Sequence, residues 1–190
     1  MQTLHTLSIY IMAWNKNDMP NFFALIDEMA KRYIELLKSD YKMSRTVNGK
    51  RRNAYASGNL YNSLAYRLNI KGNSIEIRAF AKGSASKYFE VRELGRRPGT
   101  MPPVSAIEKW ISQKPLKLRD KTSGAFVKST PELKRQVAYL IAKKIQKEGI
   151  EGWHGNDYAV ENVMEEYGDK ISEAYHKDIT FTIEQKLLNI

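Results

Sequence analysis

Between residues 64 and 80, apolar side chains recur at every second position on both sides of a short glycine-containing turn. Leu64, Tyr66, Leu68 and Ile70 alternate with Ala65, Arg67 and Asn69; after Lys71-Gly72-Asn73, Ile75, Ile77 and Ala79 alternate with Glu76 and Arg78. Successive strand side chains point to opposite faces, so this pattern predicts a β-hairpin with one face buried. Upstream, Ser8 to Trp14 reads as a buried strand or short helix, far short of the roughly 20 apolar residues of a membrane span and without the features of a secretory signal. The context expected from this is cytosolic, with no membrane partner.

The segments around the hairpin read as helices. Asp18 is a plausible N-cap with Pro20 in the first turn, and Phe22, Ile26, Met29, Tyr33 and Leu37 then form one broad apolar stripe ending near Tyr41. Ser57 to Leu64 reads as a helical turn or short helix delivering the chain into the hairpin. Ser86 to Leu94 is a short helix directing Tyr88, Phe89 and Val91 to the core, closed by Gly95. Arg96 to Pro103, with three prolines, is an extended excursion, followed from Val104 by a short helix with Ile107, Trp110 and Ile111 on one face. A longer helix starts at Ser129-Thr130-Pro131-Glu132, where either hydroxyl can cap. Its stripe is Leu133, Val137, Leu140, Ile141 and Ile145, and it ends at Glu148-Gly149. Beyond three glycines, Val160, Val163, Met164, Tyr167, Ile171, Ala174 and Tyr175 fit a further helical face, in one piece or broken at Gly168; Phe181 and Ile183 continue it or form a strand. The fold class expected is α+β: a small antiparallel sheet including the 64–80 hairpin, packed against helices, with a C-terminal helical arm.

Charge divides the chain. Residues 1–147 carry 28 basic and 11 acidic side chains, a balance of +17, and residues 148–190 carry 3 and 10, a balance of −7. The organisation expected is a basic α/β body over 1–149 and an acidic, mostly helical arm over 150–190. The arm either folds back onto its own body or docks on a neighbouring subunit; a merely solvated acidic face is the plainer alternative. Two basic loops stand out, Lys42 to Arg52 and Lys114 to Lys128. The first reads as exposed, with Asn48-Gly49 as a turn signal. Lys50, Arg51 and Arg52 from the first, and Lys117, Arg119 and Lys121 from the second, are the candidate contacts for phosphates or an acidic protein surface, against the plainer reading of solvated loops. Neither loop carries an aromatic stacking platform or a groove-reading helix, so contact with DNA would be indifferent to sequence.

No constellation points to catalysis. The chain has no cysteine and three scattered histidines, which leaves no thiolate chemistry and little for a metal site, and no cofactor is expected. Glu76-Ile77-Arg78 has arginine where a nuclease strand would carry lysine, and no aspartate lies shortly upstream on a strand. Glu132-Leu133-Lys134 sits at a helix start, where Glu132 is better explained as a capping residue. Neither a Gly-x-Ser-x-Gly elbow nor a phosphate-binding Gly-x-x-x-x-Gly-Lys loop occurs.

The order of motifs carries a resemblance. A helix, Ser57-Gly58-Asn59-Leu60-Tyr61-Asn62-Ser63-Leu64, the hairpin, Tyr88 to Gly99, Met101-Pro102-Pro103 leading into Ile107-Glu108-Lys109-Trp110-Ile111, and a capped helix ending in Glu148-Gly149-Ile150 together resemble the tail-completion or neck proteins of tailed bacteriophages, a family that includes minor tail and virion morphogenesis proteins. The similarity spans about residues 20 to 150. It implies a homo-oligomeric ring at the head-to-tail junction of a virion assembled in the host cytoplasm, beside other neck, portal or tail proteins, with possible non-specific contact with genomic DNA. Arg96, Arg97, Trp153 and Tyr158 are the expected protein-interface residues. The alternative is a sequence-independent nucleic-acid-binding protein.

Overall fold

The computed structural model describes residues 7–10, 16–47, 50–71, 74–113, 119 and 123–188. In chain order the elements are β1 (Leu7–Tyr10), α1 (Pro20–Lys42), β2 (Ser44–Val47), β3 (Lys50–Asn53), α2 (Asn59–Ser63), β4 (Leu64–Lys71), β5 (Ser74–Ala81), α3 (Ser86–Leu94), α4 (Val104–Gln113), α5 (Pro131–Glu148) and α6 (Gly155–Leu188). The architecture is α+β. The expected 64–80 hairpin is β4 and β5, paired antiparallel with Leu68 opposite Ile77, and β1 adds to the other edge of β5 to give the order β1-β5-β4. Residues 11–14 of the expected first element lie outside the described residues.

Alternation on β5 resolves cleanly: Ile75, Ile77, Ala79 and Ala81 are buried. The sheet is covered by α1, whose stripe of Phe22, Ile26, Met29, Tyr33 and Leu37 is buried as the spacing predicts. The opposite flank of α1 is covered by α6, which contributes Ala159, Val163 and Tyr167 to the same apolar cluster. The boundary at 149 is therefore one of charge, and the core runs across it. A single helix continues through Gly168, and Phe181 and Ile183 continue it on an exposed face. No helix among the described residues is long and apolar enough to cross a membrane.

Three local expectations need correction. Lys42 to Arg52 is not a loop throughout: β2 and β3 form an antiparallel ladder with Arg45 opposite Arg52 and Thr46 opposite Arg51. Ser44, Arg45, Thr46, Arg51 and Arg52 are all polar, so no alternation of hydropathy marks these strands. Helix α1 has Met19, not Asp18, at its N-cap, and no side-chain cap of its own. In α5 the turn-facing residues are Ala138 and Ala142, both fully buried, whereas Leu140 is 63% exposed. Here the small residues let α5 approach α4, where Ile111 is buried; Trp110, at 38%, and Tyr88, at 41%, stay exposed despite their apolar rings.

Candidate basic interface and its buried carboxylate frame

The hairpin β2–β3 is held to the body by Arg45. Its guanidinium forms an ion pair with Asp40, donates to the Trp153 carbonyl at 3.1 Å and lies 4.9 Å from the Trp153 ring centroid. Arg92 covers Trp153 at the same distance, 4.9 Å, so the indole is flanked by two guanidiniums. The indole Nε1 donates to Asp40 at 2.6 Å. Asp40 is fully buried and its carboxylate accepts from both groups, which is how a charge is kept away from water in this core. Burial first, and then the neighbouring Arg52 charge, lower the Arg92 pKa from its usual value.

Glu93, 1% exposed, lies behind this stack. Its carboxylate accepts from the Tyr41 hydroxyl at 2.5 Å and from the Asn156 backbone N–H at 2.8 Å, while the Asn156 side-chain oxygen accepts from Tyr33 at 2.7 Å. Glu93 thereby caps the N-terminus of α6, taking up donors that a first turn leaves unpaired. Burial raises its pKa against the opposing pull of the Tyr41 hydroxyl and of the N–H groups of Asn156 and Gly155. Desolvation also pushes the phenols of Tyr33 and Tyr41 up. A second carboxylate does the same service for α1: Asp178 of α6 accepts from the Phe22 N–H at 2.7 Å, the Asn21 N–H at 3.3 Å and the Asn21 side-chain amide at 2.7 Å.

Two groups of cations stand outside this frame. Arg51 and Arg52 are exposed on β3. At the end of α1, Lys42 lies 4.3 Å and Lys38 5.6 Å from the centre of the Tyr61 ring, and Tyr55 meets Tyr61 edge to face at 5.7 Å. Sequence reading missed Lys38 and Tyr61. The spacing of Lys38 and Lys42, one helical turn apart on the polar side of α1, was the available signal, but only the fold brings α2 beneath them. Each group can attract phosphates or carboxylates through its cations, and at Lys38 and Lys42 the Tyr61 ring lies beside them.

The remaining candidates are distributed differently. Lys50 lies on β3, with its side chain outside the described residues, as are Lys117 and Lys121. Arg119 folds back on its own loop, 4.2 Å from the Phe126 ring centroid, and donates to the Gly124 carbonyl at 3.2 Å. Trp153, expected at an interface, is 5% exposed and belongs to the core, because its indole is consumed by Asp40 and the two guanidiniums. Tyr158 is half-buried, 5.6 Å from Arg45. Arg97 is exposed, while Arg96 is half-buried and its Nη2 donates to the Thr100 carbonyl.

Arg96 also marks where two motifs, fifty residues apart, cross. Its N–H donates to the Ile150 carbonyl at 2.7 Å and its carbonyl accepts from Ile150 at 2.8 Å, while the Gly99 N–H reaches the Gln146 carbonyl at 2.8 Å. Gly149 stands here at φ +77°, and a Cβ on it would run into the Arg96 carbonyl. Glu90, Arg96, Arg97 and Glu151 line an open depression beside the crossing. Among the described residues no group of three or more His, Asp or Glu is placed to hold a metal ion. Neither a family model, nor a curated protein, nor a solved structure matches this chain.

Proposed function

We propose that this chain is a non-enzymatic structural subunit of the head-to-tail junction of a tailed bacteriophage, a tail-completion or neck protein working as one member of a homo-oligomeric ring among other neck, portal or tail proteins of the virion. The supporting observation is the separation of charge over its surface. Arg32 pairs with Glu166 at 2.7 Å and joins α6 to α1, while Glu161, Glu165, Asp169 and Glu173 of α6 and Arg51 and Arg52 of β3 are exposed. Unlike faces on one chain suit a heterologous contact repeated around an axis, which needs no reactive group. The β2–β3 face fits a lumen through which DNA slides, where contact with phosphates is useful and base readout is not.

A second reading, a sequence-independent nucleic-acid-binding protein, is favoured by the placement of Lys38 and Lys42 over the Tyr61 ring, cations beside an aromatic side chain. Native mass measurement across protein concentration, with and without duplex DNA at low and moderate salt, separates the two. The ring reading expects a defined multimer and weak, salt-labile binding indifferent to sequence. A chain that stays monomeric and binds DNA tightly at moderate salt overturns it in favour of the second reading.

A further inference from the structure

Two helical faces carry charge that the chain itself leaves uncompensated. On α6, Glu161, Glu165, Asp169 and Glu173 follow one another at i,i+4 and are all exposed. None meets a basic side chain within ion-pair distance among the described residues. Like charges at this spacing repel one another and disfavour the helix that carries them. Met164, 39% exposed, lies beside the row.

On α5, the side turned away from the buried Ala138 and Ala142 presents Gln136, Leu140, Lys143 and Lys147. Leu140 is 63% and the neighbouring Tyr139 48% exposed, the largest apolar surface on this helix. Lys144 and Arg135 have carboxylates nearby, Glu148 at 3.5 Å and Glu108 at 3.9 Å, but Lys143 and Lys147 have none among the described residues.

We infer that the Leu140-Lys143-Lys147 face of α5 docks on the Glu161-Glu165-Asp169-Glu173 face of α6 in a second copy of this chain. This rests on the ring reading above and makes it specific. The signs are complementary, and each face carries an exposed apolar residue next to its charges, Leu140 on α5 and Met164 on α6. The α5 face from Leu140 to Lys147 runs about 10 Å and the acidic row about 18 Å, at 1.5 Å per residue, so two lysines one turn apart can meet two successive carboxylates of the row. Where two copies make this contact once, it is head-to-tail and closes into a ring when its rotation divides the circle, whereas two copies that make it twice form a closed two-fold dimer.

The chain has no native cysteine, so introduced pairs report cleanly. The test uses the full chain carrying Leu140→Cys and Met164→Cys, oxidised over a range of concentrations, with the link mapped by mass spectrometry. The expected result is an intermolecular 140–164 link whose yield rises with concentration and forms a ladder ending at one closed size. Charge reversal by Lys143→Glu with Lys147→Glu, or by Glu161→Lys with Glu165→Lys, is expected to lower that yield at least tenfold. All four reversals together are expected to restore it. Melting curves of each variant, altered only at exposed positions, establish that the fold is intact. A multimer that survives every reversal and forms no 140–164 link overturns this interface and leaves the ring reading standing. A chain that remains monomeric and unlinked at the highest soluble concentration overturns both.

Discussion

Asp178 holds the first turn of a helix from more than 150 residues away, and its removal has a calculable effect. Its carboxylate is 1% exposed and takes the N–H groups of Asn21 and Phe22, with the Asn21 amide as a third donor. Asp178→Ala leaves the buried Phe22 N–H without an acceptor, a cost of about 1–3 kcal/mol. It also removes a negative charge from the positive end of the α1 dipole, worth up to about 2 kcal/mol in a partly buried setting. Overlap between these effects places the total near 2–4 kcal/mol. For a chain of 190 residues, each kcal/mol shifts Tm by about 2–4 °C, so a fall of about 4–16 °C is expected. Asp178→Asn keeps the shape and one acceptor oxygen and should cost about half as much. Chemical denaturation followed by circular dichroism measures both variants. If Asp178→Ala lies within about 0.5 kcal/mol of the parent, or if the asparagine and alanine variants are equally destabilised, α1 is not capped through space by this carboxylate.

Four further outcomes are expected. Glu93 has its pKa raised in the folded chain, so its contribution to stability is fully present below the ordinary carboxylate range and is lost as pH rises through the raised value. Stability curves from pH 4 to 8 should therefore show Glu93→Gln losing less stability than the parent as pH rises, and parallel curves would refute the assignment. Gly149→Ala should cost about 2–4 kcal/mol in denaturant unfolding, since it combines a left-handed backbone with collision against the Arg96 carbonyl; a cost below about 1 kcal/mol would mean the crossing opens easily. Arg45→Met should cost about 2–3 kcal/mol by leaving buried Asp40 without its cation, less than for a fully buried pair because Arg45 keeps a third of its side chain in water. Replacing Arg51 and Arg52 together by alanine should change stability by under about 0.5 kcal/mol each while lowering the salt slope of DNA binding, and an equal loss of stability from these exposed arginines would show that the hairpin is held by all three.

Much of the scaffold was legible because its signals lie within four or five residues of one another. The stripe from Phe22 to Leu37, the alternation through Ile75 and Ile77, and the start of α5 at Thr130, whose hydroxyl accepts from the Leu133 N–H at 3.2 Å, are all local statements, and the molecule obeys them. Their shared property is that a single face repels water regardless of what eventually covers it. The charge border near residue 148 was equally visible. What covers each face was decided by the tertiary structure alone. Asp178 reaches Phe22 across 156 positions, Trp153 reaches Asp40 across 113 and Asn156 reaches Glu93 across 63, and no periodicity links residues so far apart. For the same reason Trp153 read as a surface aromatic and the β2–β3 hairpin as a loop. The hairpin carries no apolar alternation, and its place is set by a guanidinium held between a buried carboxylate and an indole that arrive from opposite ends of the chain. Hydrophobic patterning declares which side of an element is buried, whereas a buried charge is tolerated only where distant partners converge on it, and that convergence exists only once the chain has folded.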